Sequence, residues 1–363
     1  MKRILLIAFT MATIYGASAQ KSTKLIEVAA FGKYQPIGVT VAPASNRLFM
    51  SFPQREPFLY GLTEIVNGKR VAFPNEEWNK FMPDQPANHF VNVQDLYADD
   101  QNNLWVLDSA PGGGAAIIGT STSKEGQFKL IQISLADNQV KHIYTFDDLP
   151  KDKSALNDMC IDNSKHLAYL SDPGLHAIIV LDLQSGKSRV VLKDDKSTIV
   201  QPGFKLHLDG KDVADKDGRP FVSNVNGIAL TKDNKYFYFR AINQTKLYRI
   251  ATEYLANSSL TDADLSTKVE MVAETGVCHG MIADGKGNIY LSNSPDKSIQ
   301  YVTPDGKLHT LVQDDRLIWP DSFGIGSDDY LYVSASQMHR LPKYNGGEDE
   351  VSYPFAVYKV KLP

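Results

Sequence analysis

Residues 157–172, NDMCIDNSKHLAYLSD, hold one short strand, a polar turn and a second strand that carries an aromatic residue. The same plan recurs at 37–52, 94–108, 226–241, 279–293 and 321–335, for example as NGIALTKDNKYFYFRA and HGMIADGKGNIYLSN. In each copy a variable first residue, usually polar, precedes a short apolar run. A turn rich in Asp, Asn, Gly, Ser or Lys follows, and then the aromatic strand. Short β-branched and aromatic runs separated by such turns read as antiparallel hairpins. The copies start 42 to 69 residues apart, enough for a four-stranded blade and its loops. Further strand-like runs at 129–134, 140–146, 176–183, 188–193, 298–302 and 308–312 supply the outer strands. The expected fold is all-β, a six-bladed β-propeller. Residues 25–31 are the candidate to close the ring, by joining the blade that ends with 355–362. Only 255–267 carries a helical period, and the glycine run at 112–114 lacks the Lys-Ser/Thr of a phosphate loop.

The N-terminus reads as an export signal. Lys2 and Arg3 precede an apolar run at 4–16, and Ala17-Ser18-Ala19 offers a cleavage site before Gln20. We therefore expect a signal peptide at 1–19, a single propeller domain at 20–363, and a secreted or periplasmic protein. Loss of the leader moves the formal net charge from −4 to −6. That mildly acidic balance, with scattered lysines, excludes nucleic acid as an expected partner. No second long apolar run follows, so no membrane association is expected after cleavage. Cys160 and Cys278 are too few for a disulfide framework; one bridge or two buried thiols both fit an oxidising compartment.

Several segments resemble the Yellow/major royal jelly protein family: 92–109 (NVQDLYADDQNNLWVLDS), 129–135, 168–189, 226–252 and 319–341 (WPDSFGIGSDDYLYVSASQMHRL). They run in family order over most of the chain. The resemblance implies a secreted six-bladed propeller; relatives in that family include binders of biogenic amines and proteins with dopachrome isomerase activity. The chain lacks most cysteines of the insect members and resembles a bacterial relative. A weaker similarity reaches the gluconolactonase/regucalcin propellers.

In a propeller the first residues of the six inner strands ring the central channel. Here they are Ile37, Gln94, Asn157, Asn226, His279 and Asp321, with Asp108, Asp172 and Asn293 expected at the same mouth. Convergent polar groups over an apolar ring are the usual arrangement of a small-molecule site. The expected ligand is small and polar or aromatic, bound by Gln94, Asn157, Asp172, Asn226 and Trp319. Asp321 is placed to pair with an ammonium, the asparagines to read hydroxyls, and Trp319 to stack on a ring. If the protein is an isomerase, His279 is the expected proton shuttle and Asp321 its catalytic partner. The lactonase-like propellers imply calcium held by a glutamate, two asparagines and an aspartate. Only the asparagines persist, as Asn157 and Asn226, while Ile37 and His279 replace the two carboxylates. That substitution argues against calcium, and against metal-dependent lactone hydrolysis as the alternative function. No other cofactor is expected, and the sequence specifies no oligomeric state.

Overall fold

The positions that make each hairpin turn also fix its buried aromatic. Three residues before the aromatic of every second strand the backbone is left-handed: Asn46, Asn102, His166, Asn234, Gly287 and Asp329 have φ between 55° and 83°. Asn, Asp and Gly tolerate this region best, which accounts for the composition of the turns. The aromatics so placed are Phe49, Trp105, Tyr169, Phe237, Tyr290 and Tyr332, all buried. In four blades a turn aspartate accepts a hydrogen bond from the aromatic's polar atom: Asp99 from Trp105 Nε1 (2.8 Å), Asp162 from Tyr169 (3.5 Å), Asp284 from Tyr290 (3.0 Å) and Asp328 from Tyr332 (2.9 Å). A single turn chemistry thus fixes the strand reversal and seats the largest core side chains.

A computed structural model describes residues 22–110 and 126–363; the expected leader and the glycine run at 112–114 lie outside them. Six four-stranded antiparallel sheets form the blades. Their inner strands are Val39–Val41, Val93–Ala98, Met159–Asp162, Val225–Leu230, Met281–Ala283 and Pro320–Ile325. In the sixth blade the outermost strand is Ile26–Ala30, paired antiparallel with Ala356–Lys361. The N-terminal strand thereby closes the ring as the sequence indicates, and closure leaves few sheet edges open. The helical period near 255–267 resolves into two single-turn helices, Thr252–Ala256 and Asp262–Ser266, the second started by a Thr261–Asp264 capping box.

Inner strands of neighbouring blades meet at close range. Ser51 Oγ accepts from Gly38 N–H (2.7 Å) and donates to the Gln94 carbonyl (2.9 Å) in the next blade. Ser334 Oγ accepts from Ser322 N–H (3.2 Å) and donates to the Ile37 carbonyl (2.6 Å), tying blade six to blade one. Ser171 and Ser292 accept from Asp158 and His279 N–H at the corresponding positions. Blade four has Arg240 there instead. It is fully buried and donates to the carbonyls of Ala241, Gln244 and Gly276 and to Thr275 Oγ1.

Two insertions rise beside the mouth. One, between blades three and four, includes the small hairpin His207–Leu208/Lys211–Asp212. The other, within blade six, carries the 3-10 turns Met338–Arg340 and Pro342–Tyr344. Leu206, Leu208, Val213 and Phe221 pack with Trp319, Met338 and Leu341 to make an apolar canopy. Asp209 clamps the two pieces, accepting from His339 Nε2 (3.0 Å) and from Arg340 Nε and Nη2 (2.8 and 2.6 Å).

Candidate functional site

A cavity of about 240 Å³ occupies the channel between the six inner strands. Of the residues picked out from the sequence, Gln94, Asn157, Asn226, Trp319 and Asp321 line it, as does Ile37. Gln94 Nε2 donates to Asn157 Oδ1 (3.3 Å), and Asn157 Nδ2 donates to Asp158 Oδ1 (2.7 Å). Asn226 Nδ2 donates to Ser223 Oγ (3.3 Å), and Asp321 Oδ2 accepts from Ser336 Oγ (3.0 Å).

Four other residues expected at the mouth stand away from the cavity wall. Asp172 is fully buried and accepts from Ser154 Oγ (2.5 Å) and from the N–H groups of Ala155, Gly174 and Leu175 (2.9 to 3.0 Å). It shapes the rim, since Ala155 and Gly174 do line the cavity. Asp108 is the same device one blade earlier, holding Val91 and Asn92 N–H and pairing with Lys129 Nζ at 2.7 Å. Asn293 bonds Asp296.

His279 is stacked on Trp319, ring centroids 3.9 Å apart at 20°, and is 1% exposed. Both its ring nitrogens lack a hydrogen-bond partner, so it makes no bond to Asp321. Burial, then the neighbouring His339 and Arg240, hold its pKa well below the usual histidine range, and the ring is neutral. The arrangement does not assemble His279 and Asp321 as an acid–base pair.

Trp319 adopts φ 53°, a region bulky side chains avoid, and its carbonyl accepts from Ser336 N–H (3.0 Å). Such a conformation costs about 1–3 kcal/mol and persists only where surrounding contacts fix it. Phe221 meets its ring edge-on at 5.4 Å and His339 lies nearly parallel at 5.8 Å. At 2% exposure Trp319 is wall more than open platform.

The sequence reading missed the second residue of each copy. Asp95 and Asp158 follow Gln94 and Asn157, and both line the cavity with Asp321. Asp95 Oδ2 accepts from Met159 N–H (3.0 Å), bridging blades two and three. Among the described residues none of the three carboxylates has a Lys, Arg or His partner. Burial pushes Asp95 up to about 7, opposed by the Leu96 and Met159 N–H bonds and helped by Asp321. Asp321 is pushed up to about 7 by burial, opposed by Ser336. Asp158 is raised by burial and by the other two aspartates. An acid residue directly after the polar first residue of a copy (Gln94-Asp95, Asn157-Asp158) is the signal that could have found this pair. The canopy residues Phe221, Ser223, Asn224 and Met338 also line the cavity, and no repeat position marks them.

The donor set does not fit calcium of the lactonase type. Ile37 is buried in the apolar canopy cluster and His279 faces Trp319, so neither position offers an oxygen. Among the described residues no group of three or more His, Cys, Asp or Glu is spaced to hold a metal ion. Cys160 and Cys278 are separate, buried thiols.

The major royal jelly protein family model matches residues 91–362. A Yellow-related salivary protein of Lutzomyia longipalpis is 27% identical over 212 residues; the match spans 50% of each protein, so this chain covers about half the length of that curated relative. Solved structures share the fold at low identity. A calcium-binding regucalcin of Agrobacterium tumefaciens is 14% identical, covering 93% of this chain and 94% of that one at TM-score 0.52. A gluconolactonase of Xanthomonas campestris is 12% identical over 93% and 89% at 0.54, and a luciferin-regenerating enzyme 12% over 93% and 95% at 0.54. The six-bladed ring and the family match agree: the chain belongs to the major royal jelly protein family.

Proposed function

We propose that this propeller is an exported protein that binds a small cationic ligand with an aromatic or hydroxyl-bearing body in its central cavity. One observation carries the reading. Three carboxyl groups, Asp95, Asp158 and Asp321, line a cavity whose described walls give them no basic partner, and apolar side chains such as Ile37, Phe221 and Trp319 complete the enclosure. Buried carboxylates without a counter-charge are costly, and a ligand ammonium supplies the missing charge. Gln94, Asn157 and Asn226 offer amide groups to hydroxyls. Export is supported by the leader-like N-terminus and by kinship with a protein described as salivary.

Calorimetry with tyramine and with 4-ethylphenol, its counterpart without the amine, tests the reading. Tyramine binding with 4-ethylphenol at least about tenfold weaker is the expected result, and Asp321→Asn narrows that gap. Equal affinity for both probes, or no tyramine binding, overturns it.

Carboxyls near neutrality also favour a second reading, isomerisation of a dopachrome-like ring, because an acid–base group works best with a pKa close to the operating pH. On that reading the aspartates move the proton and His279 supports Trp319. Dopachrome decolourisation lost in His279→Phe but retained in Asp95→Asn and Asp321→Asn refutes it.

A further inference from the structure

We propose that a cationic ligand enters this cavity in exchange for a proton: Asp95, Asp158 and Asp321 keep at least one proton among them in the free protein and release it when an ammonium takes its place. The inference rests on the cation-binding reading above and adds the rule that governs it.

The geometry is the reason. The three side chains come from blades two, three and six, and all line one confined space. Asp95 reaches the Met159 N–H, which places its carboxylate at the start of the third inner strand, next to Asp158. Asp158 and Asp321 are partly exposed to the cavity and Asp95 is 8% exposed. Like charges confined in a low-dielectric space cannot all ionise, so protons remain on the set. Hydrogen bonds relieve only part of this. Asp95 receives a backbone N–H, Asp158 an asparagine amide and Asp321 a serine hydroxyl, all uncharged donors.

The surrounding titratable groups do not change the balance. Cys160 lies in the third inner strand two residues after Asp158, and its thiol is pushed up by burial and by Asp95 and Asp158, so it stays protonated. Lys232 lines the cavity and acts on Cys160, yet it forms no ion pair with any of the three carboxylates. Behind Trp319, His279 is neutral, and Arg240 spends its donors on carbonyls and Thr275. Cys278 is raised by burial and feels Asp158 only weakly. Among the described residues no cation pairs with any of the three aspartates, as ionising all of them demands.

The proton inventory closes simply. The aspartate O–H bond breaks, its proton goes to buffer, and an N–H of the ligand ammonium bonds the carboxylate left behind. The ammonium keeps its own protons throughout.

The experiment is calorimetry of the full chain with tyramine from pH 5.5 to 8.5, each point measured in two buffers of different ionisation enthalpy. The expected result is a buffer-dependent enthalpy equal to about one proton released per tyramine below neutrality, with affinity falling about tenfold for each pH unit below 7. Asp158→Asn should lower the number of protons released and flatten the pH dependence. If that variant does not fold, the two-buffer measurement on the wild type still decides. Tyramine binding with the same enthalpy in both buffers and constant affinity overturns proton exchange and leaves the cation-binding reading standing. No tyramine binding at any pH overturns both.

Discussion

Gly280→Ala is the sharpest test of how this ring positions its site. Gly280 follows His279 at the start of the fifth inner strand, directly against the sixth. A β-carbon there lies 1.6 Å from the Asp321 carbonyl oxygen, 2.7 Å from its carbon and 3.3 Å from Ser322 Cα. Ordinary contact between such atoms is about 3.5 Å, so the two strands must part by roughly 2 Å. Every obstructing atom is backbone, and no side chain can swing aside. Overpacking usually costs about 1–3 kcal/mol, and this case belongs at or above the top of that range. The matched control is Gly285→Ala, in the turn of the same hairpin, where an added β-carbon meets nothing within 4 Å. It should change stability by less than about 0.5 kcal/mol. Urea unfolding of the two variants and wild type measures the difference, with unchanged slopes confirming a common unfolding process. The displaced strand carries Asp321, so folded Gly280→Ala should also bind tyramine more weakly. Gly280→Ala as stable as Gly285→Ala refutes the close inner-strand approach on which the placement of Asp321 rests.

Three further outcomes follow from buried charge. Lys129→Met strips the cation from a buried pair (side chains 7% and 1% exposed), leaving Asp108 with only backbone donors; denaturation should show a loss of about 3–5 kcal/mol, and a loss under 1 contradicts the pairing. Asp321→Asn should stabilise the protein at pH 8 and change it little at pH 4. The folded-state pKa is raised to about 7, so the folded protein holds the proton more tightly and wild-type stability declines as pH rises from about 4 through 7; destabilisation at pH 8 contradicts this sign. Asp209→Asn should loosen the canopy, seen as faster amide exchange across 204–213 and 336–345. His339 and Arg340 hold the Asp209 carboxyl well below the usual range, so its contribution is present above about pH 4 and lost on acidification. At this partly exposed site it is worth about 1 kcal/mol at most, and unchanged exchange refutes the clamp.

The ring was legible because its information is local. A left-handed turn residue three before an aromatic marks each blade, Asn, Asp or Gly in five and His166 in blade three, and the same spacing six times leaves one closed arrangement. Position along that repeat also placed Gln94, Asn157, Asn226 and Asp321 on the cavity. It failed at Asp172 and His279 for different reasons. Strand-end position put Asp172 at the mouth, but unsatisfied N–H groups of its own loop lie closer than any ligand and claim its oxygens. His279 begins its copy as the others do, yet Trp319, just ahead of the sixth inner strand, stacks on its ring and seals it, with residues of both insertions packed against Trp319. Insertions have no counterpart in the repeat, so no alignment of the six copies predicts what they cover.

The second residue of the copies explains how a repeat fold acquires a specific site. Those six positions are Gly38, Asp95, Asp158, Gly227, Gly280 and Ser322. Three are glycine, and at each an added β-carbon lies 3.0 Å or closer to the next blade's backbone: Gln94 at Gly38, His279 at Gly227 and Asp321 at Gly280. Where the strands sit this close, a side chain is excluded and the ring can only be tight. Where they admit one, blade six has Ser322, which bonds Val39 of blade one, and blades two and three have aspartates that face the channel, Asp95 reaching Met159 of the next blade. The glycines hold neighbouring inner strands tight at blades one, four and five, and confinement within that ring is what keeps the carboxyls protonated in the free protein. Architecture and ligand chemistry are therefore set by alternatives at one repeat position. Replacing Asp95 and Asp158 together by asparagine should preserve the ring while abolishing the preference for tyramine over 4-ethylphenol. A doubly substituted protein that folds and still prefers tyramine to the same degree would separate the two roles and refute the link.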